Sequence, residues 1–222
     1  MQKLVHGLHQ FQSQVFSSHK DLFQRLAKHQ APETLFITCS DSRIDPNLIT
    51  QTGPGELFIV RNVGNLVARY NEHVGSTAAA IEFAVAVLKV KNIIVCGHSN
   101  CGAMKAVLDP ASIESLPAMK AWMANTAETG RLVRENYGHL TGDARLTATV
   151  QENVLVQLEN LRTHPSVAEA MDRGGLTIHG WAYKIQTGEI FAYDAAQAQF
   201  VPLADAGVEP LDEAHRSTDL SI

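Results

Sequence analysis

The residues of this 222-residue chain whose types and spacing could do chemistry are Cys39, His98 and Cys101, with Asp41 and Arg43 beside the first of them. Two thiolates and an imidazole form a donor set that suits Zn²⁺. His98 and Cys101 stand three apart in CGHSNCGAM (96–104). That spacing lets a loop or first helical turn aim both side chains at one point, and Gly97 and Gly102 allow tight backbone turns around them. Cys39 opens CSDSR (39–43) and arrives from a different segment. Three protein ligands with a fourth position open describe a catalytic zinc site better than a closed structural one. Taken singly, a cysteine is ordinarily a small buried hydrophobe and a histidine ordinarily structural. The weight lies in their combination. Cys96, in NIIVC, reads as a core residue outside the site.

Asp41 and Arg43 are two apart, a spacing that can close a charge-assisted, bidentate pair. On an open surface such a pair is worth under about 1 kcal/mol. Beside a metal it has more to do. A free Asp41 carboxylate could itself become the fourth ligand in a closed state, whereas Arg43 would hold it off the ion and point one oxygen at the water there.

The elements that must position these residues follow from patterning. TLFITC (34–39), LFIVRN (57–62) and NIIVCGH (92–98) are short apolar runs rich in β-branched residues, separated by helical stretches. This predicts an α/β fold with a mostly parallel central sheet and helices on both faces. Cys39, His98 and Cys101 then fall at the C-terminal ends of strands, where open α/β sheets bind ligands. Apolar residues at Leu4, Val5, Leu8, Phe11, Val15 and Phe16 predict an amphipathic helix over 2–16. Ser17 and Ser18 are N-cap candidates for a second helix that ends before Pro32. The stretch STAAAIEFAVAVLKV (76–90) is apolar almost all round, which predicts burial against something beyond its own sheet, such as a partner subunit. Residues 115–173 read as helical, with turn signals at Gly130, Gly138, Gly142 and Pro165. LTIHGWAYKI (176–185) and EIFAYD (189–194) bracket a hairpin-like turn and predict antiparallel edge strands near the C-terminus.

Composition narrows the classes of partner. The net charge is −5, and the 18 Lys and Arg are scattered, which leaves no electrostatic footprint for nucleic acid. No run approaches the 18 or so apolar residues of a membrane span, and the first residues lack the apolar core of a signal peptide. A cytoplasmic protein without a membrane or nucleic-acid partner is expected, its three cysteines free rather than paired. At 24.2 kDa, residues 1–203 are expected to form one domain, residues 1–30 its projecting N-terminal helices, and 204–222 a loose tail.

CSDSR, RNVGN (61–65) and HSNCGAM (98–104), with HGWAYKIQTGEI (179–190), resemble the β-class carbonic anhydrases over nearly the whole chain. The likeness is strongest to the bacterial members found with cyanate-degrading enzymes and to those of cyanobacterial carboxysomes. The resemblance implies zinc on Cys39, His98 and Cys101, Asp41 and Arg43 as the catalytic pair, and a Gly102 N–H offered to substrate. It also implies CO₂ and bicarbonate as substrates and a homodimer or larger homo-oligomer, with the N-terminal helices reaching across the neighbour. Gln30 would bind substrate from the partner subunit, and Phe58 would line the pocket. A cytoplasmic or microcompartment location follows.

Within the family, a bicarbonate-regulated subgroup carries Trp where this chain has Phe36, although Arg61 and Tyr183 match it. Phe36 favours the unregulated type, with water as fourth ligand. Phe83 stands where the family has a pocket Tyr, and GSTAAAIEF (75–83) departs from the family's Gly-rich stretch. The scaffold also serves carbonyl sulfide and carbon disulfide hydrolases, and a permanently closed zinc site in an inactive assembly protein is the remaining alternative. Two thiolates cancel the charge of Zn²⁺, so bound water should ionise less readily than in three-histidine sites, where its pKa is about 7. A rate that climbs above neutral pH is expected.

Overall fold

The structure, a computed structural model, describes residues 1–70 and 75–203, so the expected tail at 204–222 lies outside the described residues. A six-stranded sheet has the order β2-β1-β3-β4-β5-β6. Its strands are β1 (Thr34–Cys39), β2 (Leu57–Asn62), β3 (Asn92–His98), β4 (Thr177–Lys184), β5 (Glu189–Asp194) and β6 (Gln199–Pro202). The first three fall on the three apolar runs. β1 pairs parallel with both β2 and β3, with Thr38 opposite Arg61 on one side and Cys96 on the other. The chain leaves β1 toward β2 and then returns past β1 to β3. The carboxyl ends of β1 and β3 therefore flank the point where strand order reverses, the place where open α/β sheets form a crevice.

The C-terminal strands correct one expectation. β4 is no edge strand: it pairs parallel with β3 over Asn92↔Thr177 to His98↔Tyr183. The β4–β5 and β5–β6 pairings are antiparallel, as the hairpin-like turn predicts, so β5 alone runs against the other strands. The long helical crossover from β3 to β4 makes parallel pairing possible, whereas the short turn into β5, with Gly188 at φ +76° and its N–H on Lys184 O at 2.9 Å, imposes the reversal. The edge on this side is β6, which begins after EIFAYD, and β2 is the other edge.

One face of the sheet packs Leu35, Ile37, Ile93 and Val95 against Ile81, Val154, Leu158, Leu161 and Val167. These come from α5 (Ser76–Glu82), α9 (Gly142–Arg162) and α10 (Pro165–Asp172). On the other face, Phe36, Ile94 and Cys96 are buried among Leu57, Ile59, Trp181 and Tyr183. Gly97 and Gly180 let α9 lie close on the sheet. A Cβ at Gly97 would fall 2.9 Å from Val150 Cγ1, and one at Gly180 would fall 2.9 Å from Val154 Cγ1.

At the N-terminus, α1 (Gln2–Gln10) continues through a π-helical turn, Phe11–Val15, into α2 (Phe16–Ser18). Ser17 and Ser18 therefore finish a helix rather than cap one. Their hydroxyls donate to Ser13 O and Val15 O, each at 3.0 Å, because Ser satisfies itself on the preceding turn while that turn persists. The break comes at His19, before α3 (Lys20–Leu26). Phe23 packs back on Phe11 and Phe16, with ring centroids 5.8 and 5.3 Å apart. No residue of α1, α2 or α3 is buried. Gly130 is a third correction. It lies buried inside α8 (Ala127–Tyr137) rather than at a turn, where a Cβ would meet Val107 Cγ1 at 3.5 Å. The other helices are α4 (Pro46–Thr50), α6 (Gly102–Leu108) and α7 (Pro117–Met123).

Gly180→Ala should lower the urea midpoint by the equivalent of roughly 1–3 kcal/mol, the usual cost of overpacking a filled core. Gly7→Ala, with nothing within 4 Å of its Cβ, should leave the midpoint unchanged or slightly raised.

Candidate metal centre

β1 ends on Cys39 and β3 on His98; Ser99 and Asn100 make the turn, and Cys101 is the N-cap of α6. Asn100 takes φ +57° there, which swings the chain back so that Cys101 faces His98. The sulfur and ring-nitrogen atoms of Cys39, His98 and Cys101 all lie within 4.8 Å of one another. The three residues are 5%, 0% and 1% exposed.

The histidine provides the test of whether these residues fit a metal. Its Nδ1 lies 2.9 Å from Ser99 O. A carbonyl only accepts, so Nδ1 carries the proton and Nε2 keeps a bare lone pair. Among the described residues that buried Nε2 has no hydrogen-bond partner. An unsatisfied buried polar atom costs on the order of 1–3 kcal/mol, and a cation among the three donors would remove that cost.

The two thiols behave as one unit. Cys39 is pushed down toward the thiolate, first by the hydrogen bond from Cys101, against the opposing effect of burial, and then by backbone N–H donors. Cys101 is pushed up, first by that same bond and then by burial. Without a metal the pair thus holds one proton between its sulfurs. Gly64 N–H also donates to Cys39 Sγ at 3.3 Å. Cys96 is different: burial pushes its thiol up to about 12, which fits a core residue.

Asp41 and Arg43 close the pair that their spacing predicts. Asp41 Oδ1 accepts from Arg43 Nε at 2.9 Å and from its backbone N at 3.0 Å, while Oδ2 accepts from Nη2 at 2.7 Å. Arg43 holds the Asp41 carboxyl well below the usual carboxylate range. Asp41 Oδ2 stands 3.8 Å from His98 Nε2, at the rim of the three donors. Arg43 Nη2 also reaches Asn100 O at 3.3 Å, so the pair is tied to the loop that carries His98 and Cys101.

Gly102, the first residue of α6, is exposed, with open space around its Cβ position. Two predicted site residues are not brought to this centre within one chain. Gln30 is exposed between α3 and β1. Phe58 is in register with Leu35, four residues before Cys39, which puts it about 13 Å along the strands from the cysteine. It packs instead on Phe83, with ring centroids 5.9 Å apart. Phe36 is fully buried, edge-on to Trp181.

The residues that hold the site loops escaped the sequence reading. Arg61 donates to Cys39 O at 3.2 Å and to Asp41 O at 2.7 Å, fixing the backbone between the cysteine and the acid. The buried amides Asn153, Gln157 and Asn160 on α9 grip the loop after β2. Asn153 Nδ2 donates to Gly64 O, Gln157 Oε1 accepts from Val67 N, and Asn160 Nδ2 donates to Val67 O. Their spacing along one helical stripe, shared with Val150, Val154 and Leu161, was the available signal.

A family model described as carbonic anhydrase matches residues 34–190. A carbonic anhydrase of Synechocystis is 47% identical over 216 residues, covering 96% of this chain and 79% of its own. One from Pseudomonas aeruginosa is 47% identical over 205 residues, covering 92% and 93%. Among solved structures, the β-carbonic anhydrase CcaA superposes with a TM-score of 0.89 at 48% identity, covering 91% of this chain and 98% of that one. A structure described as a tetrameric β-carbonic anhydrase from Sordaria macrospora gives 0.77 at 31% identity, covering 86% and 97%. With the fold, the donor cluster and the Asp-x-Arg pair in place, these matches show that the chain belongs to the carbonic anhydrase family, in its β class.

Proposed function

We propose that the reversible hydration of CO₂ to bicarbonate and a proton, the reaction of this family, runs here at a Zn²⁺ held by Cys39, His98 and Cys101. The observation that carries this reading is the bare, buried Nε2 of His98, facing two sulfurs beside a carboxylate held ionised. Bound there, Zn²⁺ would supply Lewis acidity that lets water ionise far below its usual pKa of about 16. The chain's own residues do the rest. Arg43 occupies both oxygens of Asp41, which keeps the carboxylate oriented and clear of the three donors. An Asp41 this acidic is a poor proton store, so it orients the attacking water by accepting its hydrogen bond rather than retaining the proton. The Gly102 N–H is a donor for the carboxylate that develops on the substrate.

Gln30 and Phe58 serve, in this proposal, the centre of a second copy, as amide donor and apolar wall. Two observations support an assembly. Both residues lie away from their own chain's donors, and α1 leaves Leu4 69% and Leu8 54% exposed. Residues 1–203 then act as one domain within a homodimer or larger homo-oligomer. No helix among the described residues is long and apolar enough to cross a membrane, and a cytoplasmic location fits the scattered charge.

Zinc content and CO₂ hydration measured on one sample should give one Zn²⁺ per chain and a kcat/KM that climbs above neutral pH, because the two thiolates neutralise the metal. A flat profile between about pH 6 and 9 would overturn this account of the zinc shell. Asp41→Asn should retain zinc and lose roughly 100-fold or more in kcat/KM. Titrating Zn²⁺ into metal-free protein at neutral pH should release about one proton, the one shared by Cys39 and Cys101, and calorimetry in buffers of differing ionisation enthalpy reads that number.

A further inference from the structure

The hydrogen bond on Cys39 Sγ comes from a peptide group held at both ends. The Val63–Gly64 peptide gives its N–H, that of Gly64, to the sulfur at 3.3 Å. Its carbonyl, that of Val63, accepts the indole N–H of Trp122 at 2.7 Å. The next carbonyl, Gly64 O, accepts from Asn153 Nδ2 at 3.1 Å. Asn153 is itself 1% exposed, and its Oδ1 accepts from Thr129 Oγ1 at 3.2 Å and Gln157 Nε2 at 3.0 Å. Gly64 takes φ +83°, and a Cβ there would fall 3.0 Å from Ala103 Cβ in α6, so the peptide is pressed against the helix that follows Cys101.

A peptide whose carbonyl receives a hydrogen bond donates a stronger one from its N–H, because the two polarise the same amide. A sulfur that accepts such a bond surrenders part of its lone-pair charge and becomes a weaker electron donor to a cation. We infer that Trp122 and Asn153 are positioning residues. Trp122, on the carbonyl of the Val63–Gly64 peptide itself, sets the strength of the N–H···S bond on Cys39, and Asn153, on the carbonyl of the next peptide, holds its direction; together they set how strongly that sulfur donates to the metal. The hydrogen bonds of both side chains go to other groups than the donor atoms. Trp122 packs its ring beside the cluster that contains Cys39 and Cys101, so its indole N–H can be removed while an aromatic ring is kept.

The inference rests on Cys39 being a metal ligand, and the test separates the two. Co²⁺ replaces Zn²⁺ in the full chain, and the sulfur-to-cobalt charge-transfer band is recorded for wild type and Trp122→Phe. Transfer of Zn²⁺ to a chromogenic chelator is followed in parallel. With the N–H···S bond weakened, the sulfur electrons are held less tightly, so the band should move to longer wavelength. The rate of zinc transfer should change by roughly fivefold, the worth of about one ordinary hydrogen bond. Asn153→Ala should move the band the same way. If that buried substitution prevents folding, Trp122→Phe still decides. A band unmoved in Trp122→Phe overturns the inference, even where the thermal midpoint falls, because a purely structural role would lower stability alone. A wild-type protein that binds Co²⁺ without any such band overturns the reading of Cys39 as ligand, and this inference with it.

Discussion

The parallel pairing of β1 with β3 is the constraint on which the rest of this structure depends. It brings the last residue of one strand and the last residue of the other to the same end of the sheet, with Thr38 opposite Cys96. Two metal-seeking donors thereby meet where the strand order reverses, and the positive φ of Asn100 returns a third to the same point. The meeting is unfavourable without a cation. The two thiols are driven in opposite directions by the bond between them, and an imidazole nitrogen is left buried without a partner among the described residues. A register shift of one residue would turn Cys39 to the opposite face of the sheet and leave nothing to assemble.

Holding such a site open takes structure beyond the three donors. Arg61 ties the backbone on either side of Ser40, and Arg43 spans from Asp41 to Asn100, so the acid, Cys39 and the second loop are tied to one another. Ser99 is bonded through its N–H to Tyr183 O, and its hydroxyl donates to Gln186 Oε1 and accepts from Ile185 N. The carbonyl that fixes the His98 tautomer is therefore anchored to the start of the β4–β5 turn. From the other side the α9 amides clamp the loop that carries Gly64. Each of these groups is satisfied within the fold, which makes the ring and sulfur positions rigid before any ligand arrives.

The same chain leaves other surfaces unfinished. Phe83 is 42% exposed beside Phe58, Val87 is 61% exposed, and α1 to α3 bury nothing of their own. An apolar substrate needs an apolar wall, and one chain presents its candidate wall about four residues of strand away from its own donors. The proposal that neighbouring copies exchange these residues unites exposed Phe83 with half-buried Phe58, the projecting helices and the distant Gln30 in one cause.

What the sequence alone determined is local and compositional. Three β-branched apolar runs reported three parallel strands, of which β1 and β3 are buried and β2 is a half-buried edge. HxxC beside CSDSR reported a donor set whose chemistry is fixed by residue type, and an Asp and an Arg two apart reported a pair that needs no distant partner. Local propensity could not place β4, because parallel or antiparallel pairing depends on the path of some 80 intervening residues, from Cys96 to Thr177. Nor could it distinguish Ser18 as a helix end from Ser18 as a cap, since the hydroxyl bonds equally well in either setting. Only the tertiary structure decided that Asn153, Gln157, Asn160 and Trp122 face the metal loops, and that Phe58 and Gln30 do not reach their own centre. The physical reason is that a hydrogen bond across 89 residues, such as Asn153 to Gly64, is set by how a helix lies on a sheet and leaves no trace in the spacing of neighbours along the chain.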